Sequence, residues 1–206
     1  MPDFDMSDIV ESILMENQKP RVQRPDIPLS KKQIEIHYDD LYLGYLKKFG
    51  EITRKLKATQ HNSANAVYSE FRSLKRAELS VLNAIRLHEA YFENLSKSKC
   101  SQYVSDMLKE NFSSITKWEN DFIACGLSAK GWVILSYDRS NKQLINLISD
   151  DHEQYVLHME PILVMDLYEH SYMIDFGSNK IKYIEFFLDN INWDCVASRL
   201  SNVDGD

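Results

Sequence analysis

In the first half of the chain apolar positions recur every three or four residues, and in the second half they gather into short continuous runs. Ile34, His37, Leu41 and Tyr45 share one face of a long helix over KKQIEIHYDDLYLGYLKKFGEITRKLKA. Ser30 with Gln33 has the pattern of a capping box that starts it, while Gly44 and Gly50 weaken it. HNSANA, residues 61–66, predicts a turn, and a second helix runs from about Val67 to Leu95 with Leu82, Ile85, His88 and Phe92 on its apolar face. Two shorter helices follow between about Tyr103 and Cys125, with Gly126 placed just past a helix end. The period then changes. GWVILSYD, QLINLISDD and PILVMDLYE predict three strands, the first two joined by a hairpin-type loop at DRSNK. KIKYIEFFLDN and NWDCVASRL close the chain as helices.

The order of elements predicts an α+β fold: a long-helix hairpin, then a three-stranded antiparallel sheet with helices. Three regions are expected: an N-terminal extension over 1–25, an α-helical hairpin domain over 26–97 and an α/β domain over 98–206. Within the extension, Ile9, Val10, Ile13 and Leu14 allow one short amphipathic helix, with a mobile tail as the alternative. PRVQRPDIPLS carries three prolines and predicts an extended arm.

Composition narrows the function classes. Of 206 residues, 44% are apolar, 27% charged and 11% aromatic, ordinary for a soluble globular protein. A formal net charge of −7 argues against sequence-independent binding to nucleic acid, which needs Lys and Arg against phosphates. A local basic funnel stays compatible with it. Cys100, Cys125 and Cys195 are scattered and form no CxxC pair, so they fit buried thiols in a reducing compartment. No apolar run reaches the length of a membrane span. MPDFDMSDIVESILMEN lacks the basic region of a secretory signal, which leads to the expectation of a cytoplasmic protein.

Four residues carry candidate chemistry. Asp166 and His170 lie four apart where a strand runs into a helix, and His37 and His88 each sit on an inward helical face. Mixed imidazole and carboxylate donors suit iron, manganese or zinc. The plain alternative is a satisfied core histidine at each position and a helix cap at the aspartate.

VMDLYEHSYMIDF, followed by KYIEFFLDNINWDCVASRL, resembles the signature region of the iron/manganese superoxide dismutases, whose Asp-x-Trp-Glu-His motif supplies two metal ligands. Residue by residue, the resemblance implies Asp166 and His170 as ligands, and Asn192 with Trp193 match a downstream Asn-Trp. QIEIHYDDLYLGY is similar to the family's first ligand helix and implies His37 as ligand, with Tyr45 at the substrate gate. LHEAYFENL implies His88, with Phe92 in the pocket wall. Gly131 and Trp132 match the Gly-Trp that opens the first strand.

The resemblance, from about residue 26 to 200, implies one Mn or Fe ion per subunit and disproportionation of superoxide to dioxygen and hydrogen peroxide. Such a metal must change oxidation state, which zinc does not. QLINLISDDHEQ places His152 where many members carry a Gln that hydrogen-bonds the metal's solvent ligand. His152 is therefore expected to serve that solvent and to connect to Tyr45. Trp132 and Tyr168 are implied as pocket walls. Glu169 is implied to bridge to His170 of another subunit in a homodimer or tetramer. Lys180 falls where the family has an Arg near the substrate funnel.

The chain also departs from the family. Tyr168 and Phe92 each stand where a Trp is usual. A gate histidine is replaced by Leu41, and the tyrosine it bonds across subunits by Met173, so both partners are lost together. Ala84 stands where iron-type members often have Gln, which leans towards manganese. Two other readings stay open: a non-catalytic homologue kept for assembly or binding, and a non-haem iron oxygenase, against which the third histidine argues.

Overall fold

The computed structural model describes residues 19–154 and 158–204. The short helix expected near Ile9–Leu14 lies outside them. The arm over 20–30 is irregular and packs on the first helix: Tyr38 donates to Val22 O at 2.5 Å, Arg21 N donates to the Tyr42 hydroxyl at 3.2 Å, and Arg24 pairs with Asp39.

The first long helix is built in three parts. A four-residue start, α1 (Lys31–Ile34), leads into a π-helical stretch (Glu35–Tyr42) and then into α2 (Leu43–Ala58). Within the stretch hydrogen bonds reach back five residues, as from Leu43 N to Tyr38 O. The wider turns change which side chains share a face, and π segments are frequent at functional sites. Here His37, Tyr38 and Tyr42 are turned inward and buried. The capping box is half formed. Ser30 Oγ accepts from Gln33 N at 3.1 Å, but the Gln33 side chain turns instead to the backbone oxygen of His170, and Ser30 N finds Asp175 Oδ2 at 2.6 Å.

α3 (Glu70–Glu93) starts at Ser69, whose hydroxyl accepts from Arg72 N, and packs antiparallel on α2. Its C-terminal half is buried almost all round, which is why it reads as more apolar than an ordinary surface helix. α4 (Gln102–Phe112) and α5 (Ile115–Ser128) follow, each capped by a serine, Ser101 and Ser114. Gly126 lies inside α5 rather than beyond its end. A Cβ there would sit 2.8 Å from Ile184 Cδ1 and 3.1 Å from Met165 Cε. Close packing, rather than helix termination, explains this glycine.

The sheet is antiparallel in the order β2-β1-β3, formed by β1 (Trp132–Asp138), β2 (Gln143–Ser149) and β3 (Met159–Asp166). All seven residues of the central strand are buried, as its continuous apolar run predicts. Register between β1 and β3 shifts at Leu135/Ser136, next to Pro161, a residue that edge strands and bulges tolerate because it has no N–H to donate. α6 (Glu169–Phe176), α7 (Lys180–Asp189) and α8 (Trp193–Asp204) complete the fold. α6 packs on α1, and α3 packs on β3, so the end of the sheet meets the helical hairpin. Asn94, just past α3, accepts from Val164 N and from Arg199, which also bonds Ile162 O and Ala90 O. This buried network fixes α3 against β3 and α8. The α+β architecture is the one expected.

Candidate metal centre

Where the hairpin meets the sheet end, four side chains converge. His37 comes from the π-helical stretch, His88 from α3, Asp166 from the last position of β3 and His170 from the first turn of α6. His37 Nε2, His170 Nε2 and His88 Nε2 stand 3.0, 3.2 and 3.6 Å from one oxygen, Asp166 Oδ2. All four donor atoms lie within 4.8 Å of one another.

Each donor is aimed by what holds its other end. Asp166 Oδ1 accepts from Tyr168 N at 2.9 Å, which turns Oδ2 towards the histidines. The aspartate thus closes an Asx turn ahead of α6, rather than capping the helix, and faces the cluster at once. Its backbone oxygen accepts from Tyr183 OH at 2.7 Å and from Ser171 Oγ at 2.9 Å. His88 Nδ1 donates to Ala84 O at 2.7 Å, which leaves the lone pair on Nε2. That Nε2 is buried and has no hydrogen-bond partner. An unpartnered buried acceptor is costly in a core and suits a metal ligand. The His37 ring stacks on Tyr91 at 5.0 Å, and Tyr91 in turn meets the Tyr183 hydroxyl at 3.1 Å.

Electrostatics favour the same donor set. Burial holds His37 below its usual range against the opposing pull of Asp166, and burial together with His37 pushes His88 down to about 3. Burial works to raise the Asp166 carboxyl, but the imidazoles of His170 and His37 outweigh it and hold it well below the usual carboxylate range. Neutral imidazoles and an ionised carboxylate are the forms that bind a cation. Three nitrogens and one oxygen are a borderline donor set that suits a first-row transition metal better than Mg²⁺ or Ca²⁺.

Rings close round the cluster. Phe92 lies 4.9 Å from His37, Trp132 lies 5.1 Å from His88, and Tyr168 stacks on His170 at 5.5 Å. Tyr45 stands 5.4 Å from His88 and 5.8 Å from His152. His152 is half-buried, with its pKa lowered by burial, and its Nδ1 accepts from Trp132 Nε1 at 3.1 Å. Outside, a groove of about 760 Å³ is lined by Lys130, Asp150, Tyr168, Glu169, His170 and Lys180. Glu169 is exposed there, while Lys180 is half-buried and bonds Ala129 O.

Gln33 and Asn83 escaped the sequence reading. Gln33 had a visible signal as the fourth and last residue of the cap pattern, but its reach to His170 depends on α6 docking beside α1. Asn83, which donates to His152 O at 2.6 Å, has no sequence signal at all.

The family model for the C-terminal domain of iron/manganese superoxide dismutases matches residues 100–199. An iron superoxide dismutase of Cupriavidus metallidurans is 33% identical over 177 residues, covering 84% of this chain and 89% of the relative. Another iron superoxide dismutase, from Aquifex aeolicus, is 34% identical over 83% of this chain and 84% of its own length. A manganese superoxide dismutase of Haloferax volcanii is 27% identical over 83% and 86%. The chain belongs to the iron/manganese superoxide dismutase family.

Proposed function

We propose that this protein is a superoxide dismutase holding one manganese or iron ion between His37, His88, Asp166 and His170. The observation that carries this is the convergence of three imidazole Nε2 atoms on Asp166 Oδ2, one of them, on His88, buried without any other partner. When bound, the ion would supply the one-electron exchange that turns two superoxide anions and two protons into dioxygen and hydrogen peroxide. The protein supplies geometry, charge and protons. Asp166 contributes the negative charge that favours the higher oxidation state, and burial favours the neutral form of His37 and His88. Because His152 Nδ1 accepts from Trp132, its proton resides on Nε2. With Tyr45 alongside, His152 holds a proton at the open side of the cluster for the departing peroxide. Trp132, Phe92 and Tyr168 exclude bulk water, and Lys180 with Lys130 draws a small anion into the groove.

Glu169, exposed in that groove beside His170, is assigned to a homodimer contact with His170 of a second copy. Leu41 and Met173 give that contact an apolar character. Among the described residues no helix is long and apolar enough to cross a membrane. The three cysteines are free, Cys100 exposed and Cys125 and Cys195 half-buried rather than fully buried as expected, and free thiols suit a reducing, cytoplasmic location. The non-catalytic reading loses ground because every ligand position is filled.

The test compares superoxide consumption by metal-free protein, by protein loaded with Mn or Fe, and by loaded Asp166→Ala. Activity confined to the loaded parent supports the proposal. Loaded parent no faster than the free ion would contradict it.

A further inference from the structure

The segment that carries His152 is a compact turn that follows β2. Ser149 Oγ donates to Asp151 O at 2.6 Å and to Gln154 O at 3.1 Å, and Gln154 Oε1 accepts from Asp150 N at 2.9 Å. These bonds shape the turn without fixing its position over the cluster. Position comes from contacts outside the turn: Asp150 is held by Lys130 N at 3.0 Å and by the Tyr168 hydroxyl at 3.2 Å, and the His152–Glu153 end by three more. Trp132 Nε1 holds the ring, Asn83 Nδ2 on α3 holds the His152 backbone oxygen at 2.6 Å, and Arg76, two turns earlier on α3, pairs with Glu153 at 3.0 Å. The Arg76 pair is exposed and contributes little. Asn83 is half-buried, and its bond is short and reaches 69 residues along the chain. Beside it lies a cavity of about 310 Å³ lined by Asn83, Leu87, Ile134, His152 and Pro161. The His152 end of the turn therefore has room to shift away from the cluster once Asn83 releases it, while Asp150 stays anchored.

We propose that Asn83 is a positioning residue: from α3, the helix that also carries His88, it pins the backbone of His152 so that the His152 ring keeps its distance to the metal centre. The inference rests on the metal-site reading above. Its logic is that of a shared frame. His88 and Asn83 lie five residues apart on one rigid helix, so the ligand and the proton-holding group are referenced to the same element. Loss of the bond lets the turn relax towards the cavity. The Trp132 bond then stretches, and His152 Nε2 withdraws from the open side of the cluster. Groups that orient the surroundings of a metal tune its potential as well as its activity.

The experiment is a double-mutant cycle on the metal-loaded full chain, with Asn83→Leu and Asn83→Ser each made alone and with His152→Ala. Metal content, midpoint potential, visible absorption spectrum and kcat are measured for each. The expected result is a shifted potential and spectrum and a several-fold lower kcat for both Asn83 variants, with the change vanishing in the His152→Ala background. The serine variant guards against misfolding through the larger leucine. A potential and spectrum unchanged in both Asn83 variants would overturn the proposal, as would equal shifts with and without His152. Parent protein that takes up neither manganese nor iron would instead sink the metal-site reading itself, so the two failures are told apart by elemental analysis.

Discussion

Replacing His88 with leucine should separate a metal ligand from a packed histidine by the sign of its effects. In the metal-free protein His88 Nε2 is a buried acceptor without a partner, a defect of about 1–3 kcal/mol. Leucine is of similar bulk, so little cavity is created. The substitution also removes the bond from Nδ1 to Ala84 O, which contributes about 0.5–1.5 kcal/mol. These terms oppose each other, and the metal-free His88→Leu protein should match the parent or exceed it by about 1 kcal/mol. The metal-loaded proteins should behave oppositely. With ligand at a hundredfold excess over Kd, the parent gains about 2.7 kcal/mol from mass action, and the variant loses most of that gain. Urea unfolding with EDTA and with added Mn or Fe reads both quantities from the midpoints. The reasoning is refuted if the metal-free variant drops by about 2 kcal/mol or more while metal adds the same increment to both proteins.

Three further outcomes follow from the same geometry. The metal-free protein should lose stability as pH falls from 6.5 towards 3: His88 is held down to about 3 when folded, so the unfolded chain takes the proton first. This one group costs on the order of 1 kcal/mol per pH unit in that window, and His37, also lowered by burial, adds to it; thermal melts that do not change between pH 7 and pH 5 would contradict this. Gly126→Ala should cost about 1–3 kcal/mol by overpacking against Ile184 and Met165, read by urea unfolding, and a neutral result would mean that α5 and α7 give way easily. His152→Ala should shift the metal potential and the pH profile of turnover while leaving metal content intact, and an unmoved potential would remove His152 from the proton path.

Much of the architecture could be read from local pattern because the elements are locally consistent. The serine caps at Ser69, Ser101 and Ser114, the apolar run of β1 and the strand-to-helix step at Asp166 all have local causes. What could not be read has long-range causes. The π-helical stretch at Glu35–Tyr42 follows from docking against the arm and α3, where Tyr42 reaches both Arg21 N and Glu89. Gly126 looked like a helix end because a glycine's usual local role is termination, whereas here Ile184, 58 residues later, demands the space. Gln33 broke from its cap pattern because the His170 carbonyl offered a buried partner. The ligand residue types carried the resemblance, but their convergence on Asp166 Oδ2 is a property of the fold.

The most direct test is crystallographic. Diffraction from protein loaded with manganese or iron, collected at that metal's absorption edge, should show one anomalous peak per chain. This peak should lie within bonding distance of Nε2 of His37, His88 and His170 and of Asp166 Oδ2. A peak elsewhere, or none in a loaded crystal with these four side chains still together, would contradict it.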